Sequence, residues 1–259
     1  MITFPNAKIN LGLNIIRKRA DGYHEIATLL YPVCLSDILE IVPSENERTT
    51  IEITGIPIPG EKENNLCFKA FHLLSSILHL PPVTIHLHKV IPTGSGLGGG
   101  SSDGAFTIKM LTDLFHLGMT NEKMIGFARQ LGADCAFFIK NKPLFAFDKG
   151  DHFEPVDIDL SGFRIEIVTP GIHVNTAEAY ALADLQPESG EPKIPVKEII
   201  IRPINEWKNL LVNDFEKAIF LKHPELEKIK QDFYDRGAIY ASMSGSGSAV
   251  YGIFRSSGD

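Results

Sequence analysis

Pro92-Thr93-Gly94-Ser95-Gly96-Leu97-Gly98-Gly99-Gly100-Ser101-Ser102-Asp103 carries five glycines within seven residues and ends in two serines at the head of a helical pattern. Glycine loses more backbone freedom on folding than any other residue, so a cluster this dense needs a reason. Close approach of backbone N–H groups to an anion supplies one. A helix starting behind the loop adds free amides and the positive end of its dipole. Residues 94–102 therefore read as a phosphate cradle, with a plain flexible turn as the bland alternative.

Three common phosphate loops fit poorly. The Walker pattern G-x-x-x-x-G-K-[ST] needs a lysine where Gly100 stands. Gly94, Gly96 and Gly99 match the G-x-G-x-x-G dinucleotide fingerprint, but the helix behind them leads into a second helix at 121–131. The fingerprint requires a parallel strand there, with an acid about twenty residues on. The protein-kinase loop is followed by V-A-I-K, which is missing here.

The rest of the chain reads as mixed α and β structure. Residues 8–16 alternate, with Ile9, Leu11, Leu13 and Ile15 on one face and Lys8, Asn10, Gly12 and Asn14 on the other. The pattern alone favours a solvated polar face. Asp21-Gly22 signals a hairpin returning through 24–34, and strands are expected at 37–43, 49–55, 83–89 and 163–169. A helix from Asn65 to His79 would place Leu66, Ala70, Leu73, Leu74 and Ile77 inward, capped by Asn64 or Asn65. Helices are also expected at 101–116 (Ala105, Ile108, Leu111, and Leu114 or Phe115 inward) and at 121–131, the latter ending at Gly132. Residues 149–162 look turn-rich and 186–196 a polar loop. Residues 206–235 hold two or three helices, and strands at 238–243 and 248–254 flank the turn Ser244-Gly245-Ser246-Gly247. Hairpins outnumber strict βαβ steps, which is α+β order.

Composition sets outer limits. The chain has 259 residues, 44% hydrophobic and 22% charged, as in ordinary globular proteins. A net charge of −7 argues against nucleic acid or an anionic membrane as main partner. Cys34, Cys67 and Cys135 are odd in number and lack C-x-x-C spacing, which suggests reduced thiols. No signal peptide or membrane-spanning run is visible, so a cytoplasmic location is expected.

The run P-x-x-x-G-L-G-G-G-S-S resembles the phosphate loop of the GHMP kinases, the superfamily of galactokinase, homoserine kinase, mevalonate kinase and phosphomevalonate kinase. Its triple glycine with Ser101-Ser102 resembles the branch that phosphorylates the 2-hydroxyl of 4-diphosphocytidyl-2-C-methyl-D-erythritol for non-mevalonate isoprenoid synthesis, and four more segments, in order, resemble family motifs, the second being the most branch-specific and the last the third motif of the superfamily. They are Ala7-Lys8-Ile9-Asn10-Leu11, Asp21-Gly22-Tyr23-His24, Gly132-Ala133-Asp134 and Met243-Ser244-Gly245-Ser246-Gly247, with Asn64-Asn65-Leu66 similar to a further D-N-L element. Asn6, Gly104 and Cys135-Ala136 depart from the usual proline, alanine and Val-Pro.

The resemblance implies a two-lobed α+β GHMP-kinase fold. Its N-terminal lobe, 1–155, would be ribosomal-protein-S5-like and its C-terminal lobe, 156–259, ferredoxin-like. It implies ATP as co-substrate, held by Asn65, Pro92, Gly94, Ser95, Gly96, Leu97, Gly98, Gly99, Gly100, Ser101 and Ser102. Mg²⁺ is expected with it, its ligands unspecified. Asp134 would take the acceptor's proton and Lys8 would sit near it. Without the resemblance, Asp134 reads as a cap on a helical turn at 135–139, and Ser101 and Ser102 as caps of the loop helix. Asn10 would face the substrate with Lys8. Tyr23 would stack on cytosine and His24 bond its edge, with Tyr180 as a second aromatic wall and Thr176 as a further contact. Ser244 to Gly247 would lie under the loop as a structural turn. The partner is then a small cytidine diphosphate-linked polyol, with no nucleic acid or membrane, and the chain a monomer or homodimer. A nicotinamide oxidoreductase, resting on the Gly94-Gly96-Gly99 match, and an inactive nucleotide-binding module are the competing readings. Lys8 and Asp134 together speak against the second. His86 and His88 share a strand face without a third ligand, so an exposed face is expected there.

Overall fold

The computed structural model describes residues 1–184 and 194–256. Its strands are β1 (Ile2–Thr3), β2 (Asn6–Lys18), β3 (His24–Ser36), β4 (Ile38–Pro43), β5 (Thr50–Gly55), β6 (Val83–Lys89), β7 (Leu144–Asp148), β8 (His152–Pro155), β9 (Phe163–Val168), β10 (Tyr240–Met243) and β11 (Val250–Arg255). Its α-helices are α1 (Leu66–Leu78), α2 (Gly99–Leu114), α3 (Asn121–Leu131), α4 (Ala133–Lys140), α5 (Thr176–Asp184), α6 (Val196–Ile199), α7 (Trp207–Leu210), α8 (Phe215–Lys222) and α9 (Pro224–Asp235). Residues 186–193 of the expected polar loop lie outside the described residues.

One compact unit comprises Met1–Ala7, Pro32–Thr93 and Gly98–Lys142. Its sheet runs β1-β4-β6-β5, with β4 antiparallel and β5 parallel to β6. Parallel neighbours cannot be joined by a hairpin, and α1 makes the crossover. Along β6, Val83, Ile85 and Leu87 point into the core. His86 and His88 take the other side and meet Glu52 at 3.3 Å and Thr54 at 2.9 Å across the sheet, an ordinary polar face.

In α1 the cap is Asn65, whose side chain accepts from Cys67 N–H at 2.8 Å. Ile77, expected inward, is 56% exposed, and Phe71 fills the core instead. Helix α2 begins at Gly99, two residues earlier than the sequence suggested, inside the glycine run itself. It packs on α1, α3, α4 and β4, so it is buried nearly all round. Enclosure on every side demands small or apolar residues throughout. Gly104 meets that demand: a Cβ there would lie 3.1 Å from Leu66 Cβ, so the departure from alanine relieves a tight contact.

Behind α2 three charged side chains are buried together. Lys89 Nζ bonds Asp103 Oδ2 at 2.7 Å and also pairs with Asp37. Asp37 Oδ1 accepts from the N–H groups of Val90, at 2.6 Å, and Ile91, at 2.8 Å. Burial pushes the Asp103 carboxyl up to about 8 despite the attraction of Lys89. The cluster ties the end of β6 to the second turn of α2, and the glycine run spans the gap in sequence between those two anchored points.

The second unit comprises Lys8–Tyr31, Gly94–Leu97 and Pro143–Asp259. One sheet runs β2-β3-β7-β8 and the other β10-β11-β9, the latter antiparallel throughout. A core of Val174, Ala179, Phe215, Ile219, Phe233, Met243, Val250 and Phe254 joins β10 and β11 to α5, α8 and α9. Compactness does not follow chain order here: strand pairing joins 8–31 to 143–155, and these residues share a compact unit with the C-terminal ones, whereas the boundary expected from sequence fell at 155. Strand β8 arises within the supposedly turn-rich 149–162, because a tight turn at Lys149-Gly150 folds it back on β7. The three cysteines are free, Cys34 exposed and the other two buried, as the odd count suggested.

Lys89→Met keeps the length of the side chain and strands two buried carboxylates. Loss of one member of a buried ion cluster costs about 3–5 kcal/mol. Urea unfolding should show a loss of that size, and a change below about 1 kcal/mol would contradict the pairing described.

Candidate active site

The glycine run is shaped residue by residue. Gly94, Gly96 and Gly98 have φ of 69°, 77° and 70°, the left-handed region that other residues enter at a cost. At Gly96 space excludes a side chain as well: a Cβ would stand 2.0 Å from Ser244 O. At Gly94 it would strike the His173 ring at 2.4 Å. Gly98 is the N-cap of α2 and offers no side-chain bond. The first intrahelical bond is Ser102 N–H to Gly98 O at 2.9 Å, so the N–H groups of Gly99, Gly100 and Ser101 precede the ladder. These are donors of the kind that bind phosphate. Ser101 and Ser102 stand inside the first turn rather than capping it. Ser101 lies beside the Cys135 thiol, which burial pushes up to about 12. Ser102 Oγ is buried with no hydrogen-bond partner among the described residues.

In the same unit, Asp134 is the second residue of α4, whose N-cap is Gly132. It is half-buried in the first turn, where the helix dipole favours a carboxylate. The capping role that spacing alone suggests is therefore filled by Gly132. Pro92 precedes the run, and Asn65 commits its Oδ1 to the start of α1.

In the other unit, the polar face of β2 is not solvated. Lys8, Asn10 and Asn14 are each 4% exposed, against the expectation from alternation. A buried ammonium needs acceptors. Lys8 Nζ donates to Asn10 Oδ1 at 2.7 Å and to Gly96 O at 3.0 Å. Ser244 Oγ donates to the same Gly96 oxygen at 2.9 Å and accepts from Asn10 N–H at 3.2 Å. Asn10 Nδ2 reaches Thr28 Oγ1 at 3.0 Å, and Tyr251 Oη donates to Asn10 O at 2.7 Å. Ser95 O accepts from Ala249 N–H at 2.9 Å, and Leu97 O from Lys8 N–H at 2.9 Å. Residues 94–97 are thereby fastened to β2 and to the 244–249 turn.

Buried Asn213 shapes that turn, donating to Met243 O and Gly245 O, both at 2.8 Å. Thr176 Oγ1 lies 3.1 Å from Ser246 Oγ. Tyr23 is 61% exposed, with Lys149 Nζ 4.4 Å from its ring centre. His24 is buried and stacked on Tyr180, centroids 4.4 Å apart and planes 12° from parallel. The structure thus brings together Lys8, Asn10 and Gly96, and separately His24 and Tyr180. Sequence reading overlooked Asn213, His173 and Asp184. Each acts through a fold contact distant in sequence, and none carries a local motif. Among the described residues only Asp148, Asp151 and His152 cluster in the manner of metal ligands, on the β7–β8 turn, where Arg19 already pairs with Asp148.

Comparison with known proteins adds the family. Residues 65–142 match the model for the GHMP kinases N terminal domain and residues 196–259 that for the GHMP kinases C terminal. A 4-diphosphocytidyl-2-C-methyl-D-erythritol kinase of Bacteroides fragilis is 51% identical over 98% of this chain and 92% of its own length. One from Bacteroides thetaiotaomicron is 50% identical over 100% and 93%. A crystal structure of 4-(cytidine 5'-diphospho)-2C-methyl-D-erythritol kinase superposes with a TM-score of 0.83 at 31% identity, covering 98% of this chain and 90% of that one.

Gly96→Ala should lower Tm by about 4 °C or more, since a clash with backbone adds to an unfavourable φ. Gly100→Ala, whose Cβ would have no neighbour nearer than 4.0 Å, should stay within about 2 °C of wild type. Equal melting temperatures for the two variants would contradict the fastening of Gly96 to Ser244.

Proposed function

Since the chain belongs to the GHMP kinase family, we infer that it transfers the γ-phosphoryl group of ATP to the 2-hydroxyl of 4-diphosphocytidyl-2-C-methyl-D-erythritol, a step in non-mevalonate isoprenoid precursor synthesis. GHMP kinases use ATP as donor, and relatives alike over the whole chain are named for this acceptor. The observation that carries the reading is the loop itself: three left-handed glycines lead into a helix whose first donors are uncommitted by the ladder. An oxidoreductase reading has no matching support, because α2 is followed by α3 rather than a parallel strand.

Roles for single residues follow from chemistry. Phosphoryl transfer asks for positioning and charge stabilisation. The amides of 94–102 cradle the phosphates, with Pro92 rigidifying the entry and the free amide of Asn65 serving adenine. Asp134 accepts the hydroxyl proton as the oxygen attacks γ-phosphorus and the bond to ADP breaks. Lys8 supplies positive charge at the reacting oxygens, and Asn10 orients Lys8. Tyr23, His24, Tyr180 and Thr176 receive the cytidine end, aromatic faces for the base and His24 for its edge. Mg²⁺ fits the hard oxygen donors of the first unit, Ser101, Ser102 and Asp134, of which Ser102 Oγ is buried without a partner among the described residues. When bound, the ion shields charge on the β- and γ-phosphates. The enzyme acts in the cytoplasm as a monomer or homodimer.

A coupled ADP-release assay tests the reaction. Turnover should appear with the cytidine-linked polyol, and turnover with homoserine or mevalonate alone would move the chain to another branch. Asp134→Asn should lower kcat by roughly 10²–10⁴-fold with the fold intact, and a value within about threefold of wild type would remove Asp134 from the role.

A further inference from the structure

The ring of His24 is held by more than its stack on Tyr180. Nε2 lies 2.7 Å from Asp184 Oδ1, at the last residue of α5. The other carboxylate oxygen, Oδ2, takes the Lys18 ammonium at 2.6 Å. Tyr180 is in turn braced edge-on by Phe215, with centroids 4.9 Å apart and planes at 77°. Both the plane and the in-plane rotation of the imidazole are therefore fixed. Lys18 first, and His24 after it, hold the Asp184 carboxyl below its ordinary value. An ionised carboxylate only accepts hydrogen bonds, so Nε2 must carry the proton. In the neutral ring, Nδ1 is then an acceptor, and among the described residues no hydrogen bond to it is made.

We propose that Asp184 is a positioning residue for base selection: it fixes His24 as the Nε2–H tautomer, so that Nδ1 accepts from the exocyclic amine of cytosine. This rests on the reading of His24 as the residue that meets the base edge. The chemistry discriminates by sign. Cytosine presents an N4–H₂ donor at that edge. Uracil presents a carbonyl oxygen there, which faces the Nδ1 lone pair acceptor to acceptor. The tautomer set by Asp184 thereby favours cytidine over uridine substrates.

Three readouts test it. Nitrogen-15 NMR of labelled imidazole in the ligand-free wild type should report the Nε2–H tautomer for His24, and Asp184→Ala should give a mixture. An Nδ1–H form in the wild type overturns the proposal before any substrate is added. In kinetics, one hydrogen bond is worth about tenfold, so Asp184→Ala should raise KM for the cytidine-linked polyol and cut preference over its uridine analogue by about that factor. A positioning role predicts kcat and the KM for ATP within about twofold of wild type, with Asp184→Glu restoring part of the preference. Unchanged preference in Asp184→Ala overturns the proposal, as does a parallel fall in kcat and melting temperature, which marks a structural prop. His24→Ala separates the layers. If it leaves the KM for the cytidine substrate unchanged, the assignment of His24 to the base edge fails and this proposal with it. If His24→Ala weakens that substrate and Asp184→Ala does not, only the proposal fails.

Discussion

The site depends on one buried positive charge finding its acceptors. Lys8 lies on a strand whose two faces are both buried, so its ammonium cannot be left to water. It binds Gly96 O and Asn10 Oδ1, and the hydroxyl of Ser244 binds the same glycine oxygen. Turning the Gly96 carbonyl toward these donors holds Gly96 in a left-handed conformation open only to glycine in practice. The following residues enter α2, where amide donors are spared by helix geometry. Charge burial and glycine content are two sides of one arrangement.

A second buried cluster performs a related task in the other unit. Lys89 with Asp37 and Asp103 holds the end of β6 and the second turn of α2. Ion clusters of this kind seldom add net stability over an apolar core, yet they tolerate few alternative arrangements. The glycine run is flexible by composition and is joined at both ends, in sequence, to segments fixed by charge. That combination lets a glycine-rich loop hold a defined backbone.

Much of this was legible in the sequence. The alternation over 8–16, the hairpin at Asp21-Gly22, α1 with its Asn65 cap, α3 and the 244–247 turn all form as periodicity and turn chemistry dictate. Local rules failed where a distant partner decides. Ile77 sits at helical spacing but at the end of α1, beyond the reach of the core, and Phe71 takes its place. The polar face of β2 looked solvated because no local signal announces a covering element. Asp184, Asn213 and His173 bear on the site only through contacts made across the fold, so nothing in their neighbourhoods marks them. The family resemblance supplied roles for Lys8, Tyr23 and Asp134 that spacing alone would have assigned to caps and surface.

The central event is transfer of a phosphoryl group to one hydroxyl of a cytidine diphosphate-linked acceptor. Phosphorus-31 NMR of the purified protein with ATP, Mg²⁺ and 4-diphosphocytidyl-2-C-methyl-D-erythritol reads that event directly. A new phosphomonoester resonance should grow in step with ADP while the diphosphate bridge of the acceptor remains intact. Release of inorganic phosphate without a new ester, or consumption of neither ATP nor acceptor, would contradict it.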